Sequence, residues 1–314
     1  MNPKRGAGNS NTPVKTKAMR FLHITDLHFW NIVYNPVYLC NKRILGNLNL
    51  LVRRRKYLHT DRSASFVDLL RTLQVDGIFI GGDLTTTAMP GEFLQAAAFL
   101  QRLAGITSNI YLLPGNHDVY TFESCRRRRF ESYFGQYAPT VGDTSVSTLA
   151  EGLSLFRVPT VRPNLLSSRG IVTPAQLERT RAMIAMNTGH AGIVLAHYPL
   201  LQSVPGYRLS SERRLINAEG LREIVGQSPV PVLYLAGHVH AFSHTVDPVY
   251  EHITHVTSSA LFYGKKGRQG GFTEIETEGS AFKITPWYYQ DGWVRGQASL
   301  PVPLDHGKGI RAQR

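Results

Sequence analysis

Cysteine is almost missing from the 314 residues: only Cys40 and Cys125 occur, in unrelated contexts and without a C-x-x-C pair. A disulfide framework is therefore not expected, and a reducing compartment fits. No run approaches the roughly 18 apolar residues of a membrane span. The opening MNPKRGAGNSNTPVKTKAM has charges and turn formers but no apolar stretch of the kind a secretory signal needs. These absences lead to the expectation of a cytoplasmic protein, with peripheral membrane contact still allowed. Acidic residues are also scarce early on. Residues 1–60 hold eleven Lys or Arg against the single acid Asp26, so most of the net charge of +13 arises there. That asymmetry suggests a local anionic partner such as phospholipid, nucleic acid or a phosphorylated substrate.

What is present is enough for a full core, with 42% hydrophobic residues. After a start expected to be disordered through residue 18, RFLHIT (Arg20 to Thr25) reads as a short apolar strand. SASFVDLLRTL (Ser63 to Leu73) follows with Phe66, Leu69, Leu70 and Leu73 at helical spacing. GIFIGGD (Gly77 to Asp83), the helix PGEFLQAAAFLQRL (Pro90 to Leu103) and NIYLLPGNHD (Asn109 to Asp118) complete a β-α-β-α-β pattern. LSLFRV, GIVLAHYP and PVLYLAGHVH read as further strands. A helix is expected at TPAQLERTRAMI, with Thr173 as N-cap and Pro174 at N1, and another near Asn217 to Val225. From Ser243 onward, antiparallel strands with turns are expected. No linker divides the chain. One domain is expected over residues 19–300, with a basic insertion at about 37–60 and a tail from 301.

Every polar cluster of interest sits directly after an apolar strand: TDLH (Asp26, His28), GGD (Asp83), GNHD (Asn116, His117, Asp118), AHYP (His197) and GHVH (His238, His240). In open α/β sheets such strand-end loops converge on one crevice. Imidazole and carboxylate together suit Mn, Fe or Zn, whereas Ca or Mg would draw mostly oxygen. Two ligands spaced i and i+2 can face one metal only if the chain bends, and the neighbouring glycines are expected to permit that bend and keep bulk away.

In this order the segments resemble the signature of the calcineurin-like metallophosphoesterase superfamily, matched from about Phe21 to His240. The resemblance implies a four-layer α/β/β/α sandwich with a dinuclear site at its edge. It implies one metal held by Asp26, His28 and His240, a second held by Asn116, His197 and His238, and Asp83 bridging them. Two divalent cations, with Mn expected first and Fe or Zn also suited, would activate water and neutralise phosphoryl charge. His117 would donate a proton to the leaving oxygen or stabilise the transition state. Asp118 would either orient His117 or cap a helix after the turn. His23 is expected to be a hydrogen-bonded core residue, and one of His244, His252 and His255 is a candidate to support a ligand.

The substrate is left open among lipid, cyclic nucleotide and nucleic acid. In NKRILGNLNLLVRRRKY (Asn41 to Tyr57), Ile44, Leu45, Leu48, Leu51, Val52 and the following Leu58 form a stripe, with Lys42, Asn49, Arg53, Arg54 and Lys56 on or beside the other face. Together with Arg55 this suggests an amphipathic foot on an anionic membrane. Arg126, Arg127, Arg128 and Arg129 belong either to an ordinary packed helix or to a lid that grips a diphosphate. Tyr263, Lys265, Lys266 and Arg268 make a third loop suited to anions. These features resemble the UDP-2,3-diacylglucosamine pyrophosphatases of the superfamily. A nuclease is less favoured, because the insertion is aliphatic and offers only Tyr38 and Tyr57 for stacking. A membrane-recruited scaffold without turnover is the non-enzyme alternative, and no obligate protein partner is inferred.

Overall fold

The structure is a computed structural model and describes residues 18–32, 43–50, 52, 55–165, 167–207, 211–265 and 267–303. The first half contains β1 (Arg20–Ile24), α1 (Arg43–Asn49), α2 (Ser63–Thr72), β2 (Gly77–Ile80), α3 (Pro90–Ala104), β3 (Ile110–Leu112), α4 (Phe122–Arg126), α5 (Arg129–Phe134), β4 (Ser145–Ala150) and β5 (Leu153–Arg157). The second half contains β6 (Gly170–Ile171), α6 (Pro174–Ala185), β7 (Ala191–Leu195), β8 (Leu215–Ile216), α7 (Ala218–Gly226), β9 (Val232–Ala236), β10 (Ser243–Val246), β11 (Ile253–Thr257), β12 (Gly271–Glu278), β13 (Ala281–Tyr289), β14 (Trp293–Arg295) and β15 (Val302–Pro303).

Two sheets carry the fold. The first has the order β14-β13-β12-β1-β2-β3, and the second β15-β10-β11-β9-β7-β5-β4. β1, β2 and β3 run parallel, with His23 opposite Phe79 and Phe79 opposite Tyr111. β5, β7, β9 and β11 run parallel in the other sheet. Their near-continuous apolar runs follow from burial on both faces, and every residue of β7 and β9 is buried. The late strands do not form a separate antiparallel unit. β12 returns to pair with β1, while β11 joins β9 in parallel.

The core falls into three layers of contact between four layers of structure. Phe21, Phe79, Leu155, Ile193, Leu235 and Ile275 belong to one cluster drawn from both sheets. Phe66, Phe93 and Phe99 of α2 and α3 cover the outer face of the first sheet. Ile184, Leu221 and Ile224 of α6 and α7 cover the second. This is the expected α/β/β/α sandwich. α6 starts as anticipated, with Thr173 capping Gln176 and Pro174 in the first turn. The second sheet extends to β15, so it reaches beyond residue 300, where the tail was expected to begin.

Among the described residues, the basic insertion does not keep its apolar and basic side chains on the two expected faces. α1 has seven residues, and Arg43 at its start is buried while Ile44, Leu48 and Val52 are exposed. Gly46 rests on the loop before α3: a Cβ there would lie 2.9 Å from Thr87 Cγ2 and 3.0 Å from Tyr120 Oη. Leu58 leaves the expected stripe altogether, being buried in a bridge to Tyr263. Lys42, Leu51, Arg53, Arg54 and Lys266 lie outside the described residues. Among those residues no helix is long and apolar enough to cross a membrane.

The arginine-rich segment after GNHD is packed helix rather than lid. It breaks at Arg128, which adopts φ +47°, into α4 and α5. Phe93 of α3 stacks on Tyr133 at 5.3 Å and meets Phe134 at 5.7 Å.

A buried acid ties the far end of the second sheet. Asp247 accepts from Arg222 Nε and Nη2 at 2.8 and 2.7 Å, from His255 Nε2 at 2.8 Å, and from the Val249 and Tyr250 amides. Burial would raise its carboxyl, but Arg222, His255 and the amides outweigh burial and hold it far below the usual carboxylate range. Its stabilisation is thus present above the unfolded pKa and is lost as pH falls toward the folded one. Asp247→Asn is expected to cost about 3 kcal/mol at neutral pH. In denaturant titrations the gap between wild type and variant should narrow below about pH 4.

Candidate metal centre

Each predicted loop leaves the carboxyl end of a parallel strand, and the two sheets bring these ends to one edge. Asp26 and His28 follow β1, Asp83 follows β2, and Asn116 and His117 follow β3. His197 follows β7, and His238 and His240 follow β9. The bends fall on the polar residues themselves. Asp26, His28, Asp83, His238 and His240 all have left-handed φ, between +51° and +66°. Such backbone is sparsely populated for non-glycine residues and costs on the order of 1–3 kcal/mol each.

Cross-links between loops hold these conformations. Asp26 N and His28 N donate to Gly82 O and Asp83 O, both at 2.9 Å, and Gly237 N donates to His197 O at 3.0 Å. Among the expected glycine hinges only Gly82 has positive φ, at +94°. Gly115 and Gly237 serve close approach: a Cβ would fall 2.1 Å from Asp83 N at the first and 2.0 Å from Thr25 Oγ1 at the second.

The donor atoms converge. His28 Nε2 lies 3.1 Å from His240 Nε2. Asp26 Oδ1 lies 3.1 Å from His240 Nε2 and 3.9 Å from His28 Nε2. Asp83 Oδ2 sits between the two halves, 4.0 Å from His28 Nε2 and 3.5 Å from His197 Nε2. Asn116 Oδ1 is 3.1 Å from His197 Nε2 and 3.0 Å from His238 Nδ1. Within each of the sets Asp26, His28, His240 and Asp26, Asp83, His197, the candidate atoms all lie within 4.8 Å of one another.

Backbone carbonyls fix which imidazole nitrogen faces inward. His28 Nδ1 donates to Thr85 O at 3.4 Å, His197 Nδ1 to Gly81 O at 2.7 Å, and His238 Nε2 to Arg213 O at 3.1 Å. The opposite nitrogens therefore point at one another and at oxygen atoms. Asp26 Oδ2 accepts from Thr25 Oγ1 and the His238 amide, while the buried Oδ1 faces His240 Nε2 at 3.1 Å. Lone pairs gathered at such distances call for a cation or a proton between them, so the donor set fits divalent metal. The electrostatics agree. Burial would raise Asp83, but His197, His117 and His28 hold it well below the carboxylate range. Burial opposes charge on His197, yet Asp83 and Asp26 push it up to about 9. Burial, with His197 beside it, pushes His238 down to about 3.

His117 is oriented differently from the expectation. Its Nδ1 donates to Thr86 O at 2.6 Å, its amide donates to Asp83 Oδ1 at 2.7 Å, and its ring stacks on Tyr120 at 5.4 Å. Asp118 neither orients His117 nor caps a helix. It accepts from Gly115 N, Leu84 N, Thr85 N and Thr85 Oγ1, so it ties the GNHD turn to the loop after Asp83. The cap of α4 is Thr121. Burial and the nearby Asp83 charge push Asp118 up to about 7.

Two of the basic residues turn inward. Arg43 Nε and Nη2 donate to Thr87 O and Ala88 O at 3.0 and 3.1 Å, and Arg129 Nη1 donates to Ala88 O at 2.7 Å. Glu123 bridges the pair, at 3.1 and 2.7 Å. Arg129 is thus a buried clamp on the loop that carries the Thr86 carbonyl, and it is not available to a diphosphate. Arg126, Arg127 and Arg128 are exposed, with Arg127 paired to Glu123. His23 is a core residue bonded to Ser258 Oγ at 2.7 Å, as expected. His244 and His255 bond Ser299 and Asp247, away from the ligands. Tyr198, whose ring lies 4.1 Å from that of His238, and Tyr120 were missed. Their signal was proximity to the AHYP and GNHD motifs. The tethering carbonyls had none.

A model of the calcineurin-like phosphoesterase family matches residues 19–242. The chain belongs to that family of metal-dependent phosphoesterases, which work with a dinuclear divalent-metal site. Among solved structures, a dimetal phosphatase from Danio rerio is similar, with 13% identity over 90% of this chain and 99% of that one and a TM-score of 0.61. A purple acid phosphatase from yellow lupin (Lupinus luteus) gives 16% identity over 88% of this chain, a TM-score of 0.59, and 52% of its own length. PhoD gives 9% identity over 92% of this chain and 73% of that one, with a TM-score of 0.58. At these identities the likeness is one of fold. No curated protein matches the sequence.

The clamp makes a contrast that can be measured. Arg129→Met removes the buried guanidinium that bonds both Ala88 O and Glu123, and is expected to cost about 3 kcal/mol in chemical denaturation. Arg127→Met removes only an exposed pair and should stay within about 0.5 kcal/mol of wild type.

Proposed function

We propose that the chain hydrolyses a phosphodiester or phosphoanhydride with two Mn²⁺ ions. Asp26, His28 and His240 would hold one ion, Asn116, His197 and His238 the other, and Asp83 would contact both. The observation that carries this reading is the facing pair His28 Nε2 and His240 Nε2, 3.1 Å apart, with Asp26 Oδ1 also 3.1 Å from His240 Nε2. Two divalent cations in such a site supply hydroxide near neutral pH and neutralise charge on phosphoryl oxygens. The protein's own part is to fix the ligands through carbonyl-tethered imidazoles and to present His117. With Nδ1 committed to Thr86 O, Nε2 is the His117 atom that would carry a proton to the leaving oxygen.

A membrane-associated nucleotide-lipid, such as UDP-2,3-diacylglucosamine, is the substrate this reading favours. Its support is the line Ile44, Leu48 and Val52, exposed beside a helix that rests on Tyr120, the residue stacked on His117. Exposed Arg55 and Lys56 follow a few residues later and suit anionic headgroups. Such contact would be peripheral.

Asp83→Ala and His238→Ala are each expected to lower Mn²⁺-dependent hydrolysis of bis-p-nitrophenyl phosphate by about 100-fold or more, since even partners outside the ligand shell cost 10–100-fold. Unchanged rates would remove the dinuclear mechanism. His117→Asn should lower kcat by about 10²- to 10⁴-fold for esters with poor leaving groups, and far less for p-nitrophenyl esters, whose leaving oxygen needs little protonation. For the membrane reading, sedimentation with vesicles containing anionic lipid should fall when Ile44, Leu48 and Val52 are changed to Ser. Equal binding by wild type and variant would end it.

A further inference from the structure

The loop after the last metal motif brings a second set of groups to the same edge. The Tyr263 ring meets the His240 ring edge-on at 5.6 Å, and the Tyr57 ring lies 5.9 Å beyond it. Lys56 Nζ stands 5.1 Å from the centre of the Tyr57 ring, and Lys265 Nζ stands 5.7 Å from that same centre. These lysines come from segments more than 200 residues apart, and three backbone contacts pin the segments together. Leu58 bridges Tyr263, His59 N donates to Phe262 O at 2.7 Å, and Gly264 N donates to Tyr57 O at 2.9 Å. Lys265 is also held in a closed turn, exchanging hydrogen bonds with Arg268 at 2.9 and 2.8 Å around Gly267 at φ +79°.

Like charges drawn to one aromatic ring repel each other. No ion pair with an acid involves Lys56, Lys265, Arg55 or Arg268 among the described residues. An aromatic face offsets part of that repulsion, and an anion would offset the rest. Ring contacts from Tyr57 through Tyr263 to His240 join the lysines to the metal ligands.

We propose that Lys56, Lys265 and the Tyr57–Tyr263 pair form a second phosphate subsite, which takes a phosphoryl group of the substrate other than the one hydrolysed. The preferred substrates are then compounds with two phosphoryl groups, joined as an anhydride or set apart on a sugar. This rests on the phosphoesterase reading, and binding can be measured separately from turnover.

The experiment compares dissociation constants of thymidine 5′-phosphate, thymidine 5′-diphosphate and thymidine 3′,5′-bisphosphate, in Mn²⁺ buffer at low salt, for wild type and for Lys56→Gln/Lys265→Gln. Both lysines are exposed, so the variant keeps the core intact. At least one doubly phosphorylated ligand is expected to bind wild type about tenfold more tightly than the monophosphate, two exposed ion pairs together accounting for that factor. Which of the two gains more reports whether the second group is anhydride-linked or carried across the sugar. The advantage should shrink with added salt and vanish in the variant, with monophosphate affinity unchanged. Equal affinities in wild type, or an advantage that survives in the variant, would overturn the subsite. Hydrolysis of thymidine 5′-p-nitrophenyl phosphate separates the two readings: turnover without the affinity advantage removes only the subsite, and the advantage without turnover removes only the phosphoesterase reading.

Discussion

The structure turns on one electrostatic problem, the burial of Asp26 and Asp83 side by side at the edge where two sheets meet. Two carboxylates removed from water repel each other and lose hydration, a combination that neither would survive alone. Four imidazoles surround them, and each of His28, His197 and His238 is turned by a backbone carbonyl so that its other nitrogen faces the carboxylates or Asn116. That arrangement is poor as a hydrogen-bond network, because acceptors meet acceptors. As a cradle for cations it is well matched, and this is why donor geometry identifies the centre more firmly than any one motif.

Strain at the centre is distributed among the loops and held from outside. Five of the site residues sit in left-handed backbone, and that conformation persists only where neighbours over-determine it. Asp118 joins the loop after β3 to the loop after β2, and the pair Arg43 and Arg129 with Glu123 fastens the carbonyls of Thr87 and Ala88. Thr86 lies in the same loop and orients His117. The position of α1 is thus connected to His117 twice, through the Arg43 clamp and through Gly46 against Thr87 and Tyr120.

The sandwich and the strand-end placement of all five motifs could be read from the sequence, because buried parallel strands give uninterrupted apolar runs and each run stops at its polar loop. The antiparallel C-terminal strands were legible as strands but not as members of two different sheets. Nothing in GGFTEIETEG says that it will pair with RFLHI. Asp118 was misread for a related reason. Its nearest histidine in sequence was the natural partner to suppose, whereas the amides it serves come from residues 84, 85 and 115, placed only by the packing of two loops. The carbonyls that set the imidazole tautomers carry no side-chain signal at all.

Charge shows the same division most clearly. Read along the chain, the basic clusters after β1 and after GNHD look alike, a solvated patch in each case. In three dimensions they separate by function. Arg43 and Arg129 are interior, both paired with Glu123 and spent on backbone carbonyls, whereas Arg55, Lys56 and Lys265 remain at the surface, the two lysines beside the Tyr57 ring. A guanidinium can satisfy several carbonyls in a fixed plane, and an ammonium on a flexible stem cannot, so arginine suits the clamp and lysine the open rim. The excess positive charge is therefore two structures in one composition. One fixes the loop that aims His117, and the other stays exposed at the surface.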